Sequence, residues 1–70
     1  MKSLSFLIPT YNDEATIGTQ VTEARSVGKK LGIPFEIIVI NDGSVDQTAQ
    51  ILTTLTERFP ELRVLTHTAN

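Results

Sequence analysis

Short apolar runs alternate along the chain with longer segments whose apolar residues recur every three or four positions. Leu4-Ser5-Phe6-Leu7-Ile8 is such a run, closed by Pro9, and it predicts a buried strand. Asn12 then reads as the N-cap of a helix. Asp13 and Glu14 would fall in the first turn, where the helix dipole favours negative charge. Ile17, Val21, Ala24, Gly28 and Leu31 follow at spacings of four, three, four and three, one face of an amphipathic helix. Lys29 and Lys30 suit its last turn, Gly32 suits a left-handed terminal position, and Pro34 prevents the helix from continuing.

The segment Phe35-Glu36-Ile37-Ile38-Val39-Ile40 is β-branched and almost continuously apolar, the signature of a parallel strand covered on both faces. Asn41-Asp42-Gly43-Ser44 closes it, and Ser44 with Gln47 has the spacing of a capping box. Ile51, Leu52, Leu55 and Phe59 form a second helical stripe ending at Pro60, and Leu62 to Thr66 form a third strand. Strand, helix, strand, helix, strand, with helical connections long enough for crossovers, predicts an α/β unit built on a parallel sheet.

Composition narrows what such a unit does. Six Lys and Arg against eight Asp and Glu give a net charge of −2. That leaves no basic face for nucleic acid and no polybasic patch for anionic lipid. The longest apolar run, Ile37 to Ile40, is far short of the roughly 20 residues needed to span a bilayer. The absence of Cys removes disulfides and thiolate metal sites. The first ten residues lack the apolar core of a signal peptide, so a cytoplasmic setting is expected. A domain of this length buries a limited share of its surface, which leaves open independent folding, dimerisation through an exposed sheet edge or apolar face, or membership of a larger unit.

The candidate chemistry sits at two loops, Pro9-Thr10-Tyr11-Asn12-Asp13 and Asn41-Asp42-Gly43-Ser44, at the carboxyl ends of the first two strands. Ligands of open parallel sheets bind there. The loops bring carboxylates, an aromatic ring and backbone donors to one edge, a combination suited to a nucleotide: a carboxylate accepts from a base N–H, and Tyr or Pro packs on the base face. No G-x-G-x-x-G and no P-loop pattern is present, so a dinucleotide or P-loop site is not supported. Asp42-Gly43 also suits a simple turn, Asn12 to Glu14 also suit capping alone, and Tyr11 also suits cover for a sheet edge.

The stretches SFLIPTYNDEATIG and FEIIVINDGSVDQT together resemble the N-terminal part of family 2 glycosyltransferases, enzymes of GT-A fold that include dolichyl-phosphate mannose synthase-like members. The likeness runs through Arg63-Val64-Leu65-Thr66-His67 to Asn70 and covers essentially the whole chain. It implies a three-layer β-α-β-α-β unit with a parallel sheet, the nucleotide-binding half of a Rossmann-like fold, with residues 1–70 as one subdomain. It also implies a nucleotide-sugar donor, UDP- or GDP-linked, and sugar transfer to an acceptor hydroxyl. By the resemblance Pro9, Thr10 and Tyr11 flank the base, Asp42 binds it, Ile40 touches it, Gly43 and Ser44 shape the loop, and Asp13 stands where the family has an acidic residue. Asn41 replaces a common Asp, and Asp13 a common Glu. The family's metal-binding D-x-D, which holds Mg or Mn, lies beyond these residues, as does its catalytic base. The expectation is therefore a nucleotide-sugar half-site that binds no metal itself and is inactive alone, with any membrane association supplied from elsewhere in the parent protein. A non-catalytic, self-associating α/β module is the competing reading.

Overall fold

The computed structural model describes residues 3–12, 14–43 and 47–67, with the backbone alone at 67. Its elements follow the expected order: β1 (Leu4–Thr10), α1 (Ile17–Leu31), β2 (Phe35–Asp42), α2 (Thr48–Arg58) and β3 (Leu62–His67). The strands form one parallel sheet in the order β1-β2-β3. Leu7 pairs with Ile38, Pro9 with Ile40, and Ile40 in turn with Leu65.

This strand order determines where the helices go. Each crossover steps in the same direction across the sheet, and crossovers of one hand stepping one way deposit their helices on the same face. Ile17 and Val21 of α1, Leu52 and Leu55 of α2, Ile37 and Val39 of β2 and Leu62 of β3 accordingly form one buried cluster. The α/β class and parallel sheet are as expected. The described residues build two layers, however, where three were anticipated, because helices reach both faces only when the strand order reverses.

The two-sided cover expected for β2 is corrected for the same reason. Ile37, Val39 and Asn41 are buried on the helix side, while Ile38 and Ile40 on the other side are half-buried. β1 alternates likewise and is not a buried strand: Leu7 is 63% exposed. Pro9 does not end β1, which continues to Thr10. Among the described strands β1 is an edge, hydrogen-bonded to β2 alone, and an edge strand tolerates a residue without an N–H.

Helix α1 uses the predicted face over Ile17, Val21, Ala24 and Gly28. Leu31 has the right angular position but is 53% exposed, since it is the last helical residue and overhangs the end of the sheet. Gly32 stops the helix at φ 67°, its N–H donating to the Lys29 carbonyl at 3.3 Å. The helix does not begin at Asn12. That residue has φ 51°, in the left-handed region, whereas an N-cap needs an extended backbone. Residues 14–16 make a turn, Thr16 precedes the first helical residue, and no acidic side chain lies in the first turn.

Two contacts fasten the end of the molecule where α1 finishes. Gly28 lets the Phe35 ring approach so closely that a Cβ would stand 2.6 Å from ring carbons, and Phe35 meets Phe6 edge-on at 6.2 Å. Arg25 donates through Nε to Glu61 Oε1 at 2.9 Å while its guanidinium lies 4.6 Å above the Phe59 ring. The Arg25 hydrogen bond holds the Glu61 carboxyl below its ordinary pKa of 4.5.

Gly28→Ala is therefore expected to lower the denaturation midpoint: the gain of about 1 kcal/mol in helix propensity is outweighed by an overpacking cost of about 1–3 kcal/mol. A raised midpoint would show that Phe35 yields freely. Because the folded pKa of Glu61 is depressed, its stabilisation is complete above the unfolded value and is lost as pH falls through the folded one. Glu61→Gln should reduce stability at neutral pH and flatten the acid limb of a stability–pH profile below about pH 4.5.

Candidate functional site

At the carboxyl edge of the sheet, on the side without helices, Pro9, Thr10, Tyr11, Ile40 and Asp42 line a cleft of about 500 Å3. Strand alternation accounts for most of its make-up. Pro9 is paired with Ile40, and Asp42 lies two residues further along β2, so all three belong to the open face. Tyr11, just past β1, is 60% exposed and forms a wall. At Asn12 the left-handed backbone turns the chain away from the strand, which leaves Tyr11 beside the cleft rather than in a continuing strand.

The opposite side of the same strand ends carries buried polar residues. Thr10 is 3% and Asn41 2% exposed and they pair in register, with the exposed Thr66 next to Asn41 on β3, and Thr48 at the start of α2 is fully buried. No buried side-chain nitrogen or oxygen among the described residues lacks a hydrogen-bond partner. Asn41 thus belongs to the sheet's helix side, so its departure from the resemblance does not alter the lining of the cleft.

Five of the eight expected site residues, Pro9, Thr10, Tyr11, Ile40 and Asp42, therefore meet at one cleft. Gly43 adjoins it with φ 71°, a left-handed conformation that favours glycine, and takes the chain out of β2. Asp13 and Ser44 lie outside the described residues. The capping-box expectation is corrected at Gln47: α2 starts at Thr48, so Gln47 occupies the cap position itself and not the third helical position.

A feature not foreseen from the sequence joins the two loops. Glu14, expected to serve its own helix, accepts a hydrogen bond from the Gln47 backbone N–H at 3.3 Å through Oε1. The carboxylate of the β1–α1 connection thereby meets the N-terminus of α2, where free N–H groups and the dipole favour an anion. No local sequence pattern signals a contact across that separation.

Residues 5–70 match the family described as glycosyl transferase family 2. The chain belongs to that family. Among its relatives, an undecaprenyl-phosphate 4-deoxy-4-formamido-L-arabinose transferase of Pectobacterium atrosepticum is 38% identical over 53 residues, 76% of this chain and 16% of that protein. A dolichyl-phosphate beta-glucosyltransferase of Trichomonas vaginalis is 34% identical over 71 aligned residues, 94% of this chain and 21% of that protein. A further undecaprenyl-phosphate transferase of the first kind, from Serratia proteamaculans, is 34% identical over 83% of this chain and 18% of its own length. The chain thus spans only about a fifth or less of these family 2 glycosyltransferases.

The Glu14 contact gives a local test. Glu14→Ala should speed hydrogen exchange at the Gln47 amide by about threefold to tenfold, the worth of a long, solvent-exposed hydrogen bond, and leave the Leu52 and Leu55 amides unchanged. Unaltered exchange at Gln47 would mean the two loops are not coupled through this carboxylate.

Proposed function

We propose that this chain supplies the nucleotide-binding side of a glycosyltransferase that moves a sugar from a nucleoside diphosphate sugar to an acceptor. The observation that carries the reading is the cleft itself: a carboxylate at Asp42, an aromatic ring at Tyr11 and an apolar floor at Pro9 and Ile40, in a member of glycosyl transferase family 2. In this reading the base packs between Tyr11 and the Pro9–Ile40 surface, and the Asp42 carboxylate accepts from a base N–H. Thr10 and Gly43 hold the loop backbones, and Asp13 and Ser44 complete the site from the same loops.

The chemistry of transfer is assigned to residues outside these 70. The D-x-D expected to hold Mg or Mn does not occur in the sequence, and no group of three His, Asp or Glu side chains stands together among the described residues. The 70 residues alone are accordingly expected to bind the donor without turning it over.

The acceptor was expected to be a hydroxyl. The names of the relatives favour a second reading, in which a polyprenyl phosphate oxygen receives the sugar. Action at the cytoplasmic face of a membrane belongs to that reading; no helix among the described residues is long and apolar enough to cross one. Self-association through the open sheet face, where Leu7 and Leu65 are more than half exposed, is the non-catalytic alternative.

Amide NMR titration with UDP and GDP tests the proposal. Saturable shifts at Tyr11 and Asp42 with one of the two are expected, and Asp42→Ala should weaken that binding by about tenfold or more, the loss of a hydrogen bond to a charged acceptor. An unchanged affinity in Asp42→Ala would remove the assignment. Shifts at Leu7 and Leu65 that follow protein concentration and ignore nucleotide would favour the self-associating module.

A further inference from the structure

A second cleft, of about 420 Å3, is lined by Thr22, Arg25, Ser26, Lys29, Lys30 and Phe59. Three of the chain's six cationic side chains converge there, so the absence of a basic patch expected from the net charge of −2 does not hold locally. The first five residues belong to two adjacent ridges of α1, Thr22-Ser26-Lys30 and Arg25-Lys29, each stepping by four, so one helix face presents three cations and two hydroxyls to the same space.

The helix dipole accounts for Lys29 and Lys30 in the last turn. It does not account for Arg25 and the two hydroxyls, which lie one to two turns earlier. Arg25 is held in place, with Nε on Glu61 and the guanidinium plane over Phe59. The Glu61 bond engages one of the five guanidinium N–H donors and leaves the terminal nitrogens for another acceptor. Among the described residues Glu61 is the one carboxylate paired to this cluster, so the three cations exceed it by two positive charges. Thr22 directs its hydroxyl proton to the Gly18 carbonyl, which leaves its oxygen lone pairs and the Ser26 hydroxyl toward the cleft. A fixed guanidinium, two ammonium groups on flexible stems and a hydroxyl donor make a receptor for a tetrahedral dianion.

We propose that this cleft is a phosphate-binding site, separate from the cleft at the carboxyl edge. It stands at the other end of the sheet: α1 finishes there, and Phe59 and Glu61 flank the entry to β3. The inference does not rest on the nucleotide reading, since it uses none of the residues assigned to it. The phosphate group is either free, as in a soluble phosphate ester, or the headgroup of an anionic lipid.

Amide NMR titration of the chain with inorganic pyrophosphate at physiological salt is the test, with co-sedimentation on phosphatidylglycerol and phosphatidylcholine vesicles as the second arm. Saturable shifts at Thr22, Ser26, Lys29 and Lys30 are expected. The paired Lys29→Gln and Lys30→Gln change should weaken them by about tenfold, and Arg63→Gln, a cation outside the cleft, should leave them unaltered. Both changes sit on exposed positions, so folding is retained and is read from the same spectra. Pyrophosphate binding without vesicle binding assigns a soluble ligand. Binding to phosphatidylglycerol vesicles that is lost in the double variant, and absent on phosphatidylcholine, assigns a lipid headgroup. Shifts that rise linearly without saturation, or that survive the double substitution, overturn the proposal.

Discussion

One-directional strand order is the constraint on which the other features depend. With β1, β2 and β3 advancing the same way, both helices must share a face, and a single apolar cluster of seven buried side chains serves the whole unit. The cost of that arrangement is the uncovered side, where Leu7 and Leu65 face outward among the polar Ser5, Glu36, Asp42 and Arg63. The same uncovered side forms a cleft at its upper edge: no helix among the described residues lies over Pro9, Ile40 and Asp42.

Loops at strand ends are accurate platforms only when their bases are rigid. Here the helix side of the same three strand ends carries Thr10, Asn41 and Thr66 in register, and no buried side-chain polar atom among the described residues lacks a hydrogen-bond partner. The Glu14 to Gln47 bond adds a tie between the loops, so the β1–α1 connection and the start of α2 are referenced to each other as well as to the sheet.

Residues whose role is decided by their own backbone or by helical periodicity were legible from the sequence. Gly32 had to be left-handed after two lysines, Ile17, Val21 and Gly28 had to share a face, and the β-branched run at β2 had to be a strand. What escaped the sequence was decided by neighbours far along the chain. Leu31 keeps the periodicity but overhangs the sheet, Pro9 stays in β1 because that strand is an edge, and Asn12 is left-handed where its composition suggested a cap. The candidate site residues were named from the family resemblance; that Pro9, Ile40 and Asp42 share a face follows from strand alternation and the register of β1 on β2. The Glu14 contact was not legible, since its partner is 33 positions away.

Electrostatics then orients any nucleotide diphosphate in the proposed site. A carboxylate and a phosphate about 4 Å apart repel by roughly 4 kcal/mol at a surface dielectric near 20. Asp42 cannot therefore face the diphosphate without a cation between them, and the basic residues that cluster among the described ones are at the far end of the sheet. In the proposed reading the base therefore takes the Asp42 side, where a neutral N–H meets a carboxylate, and the diphosphate points away from β2. On that reading the residues lining the cleft suit recognition of a base, and neutralising the leaving diphosphate calls for a different set of side chains.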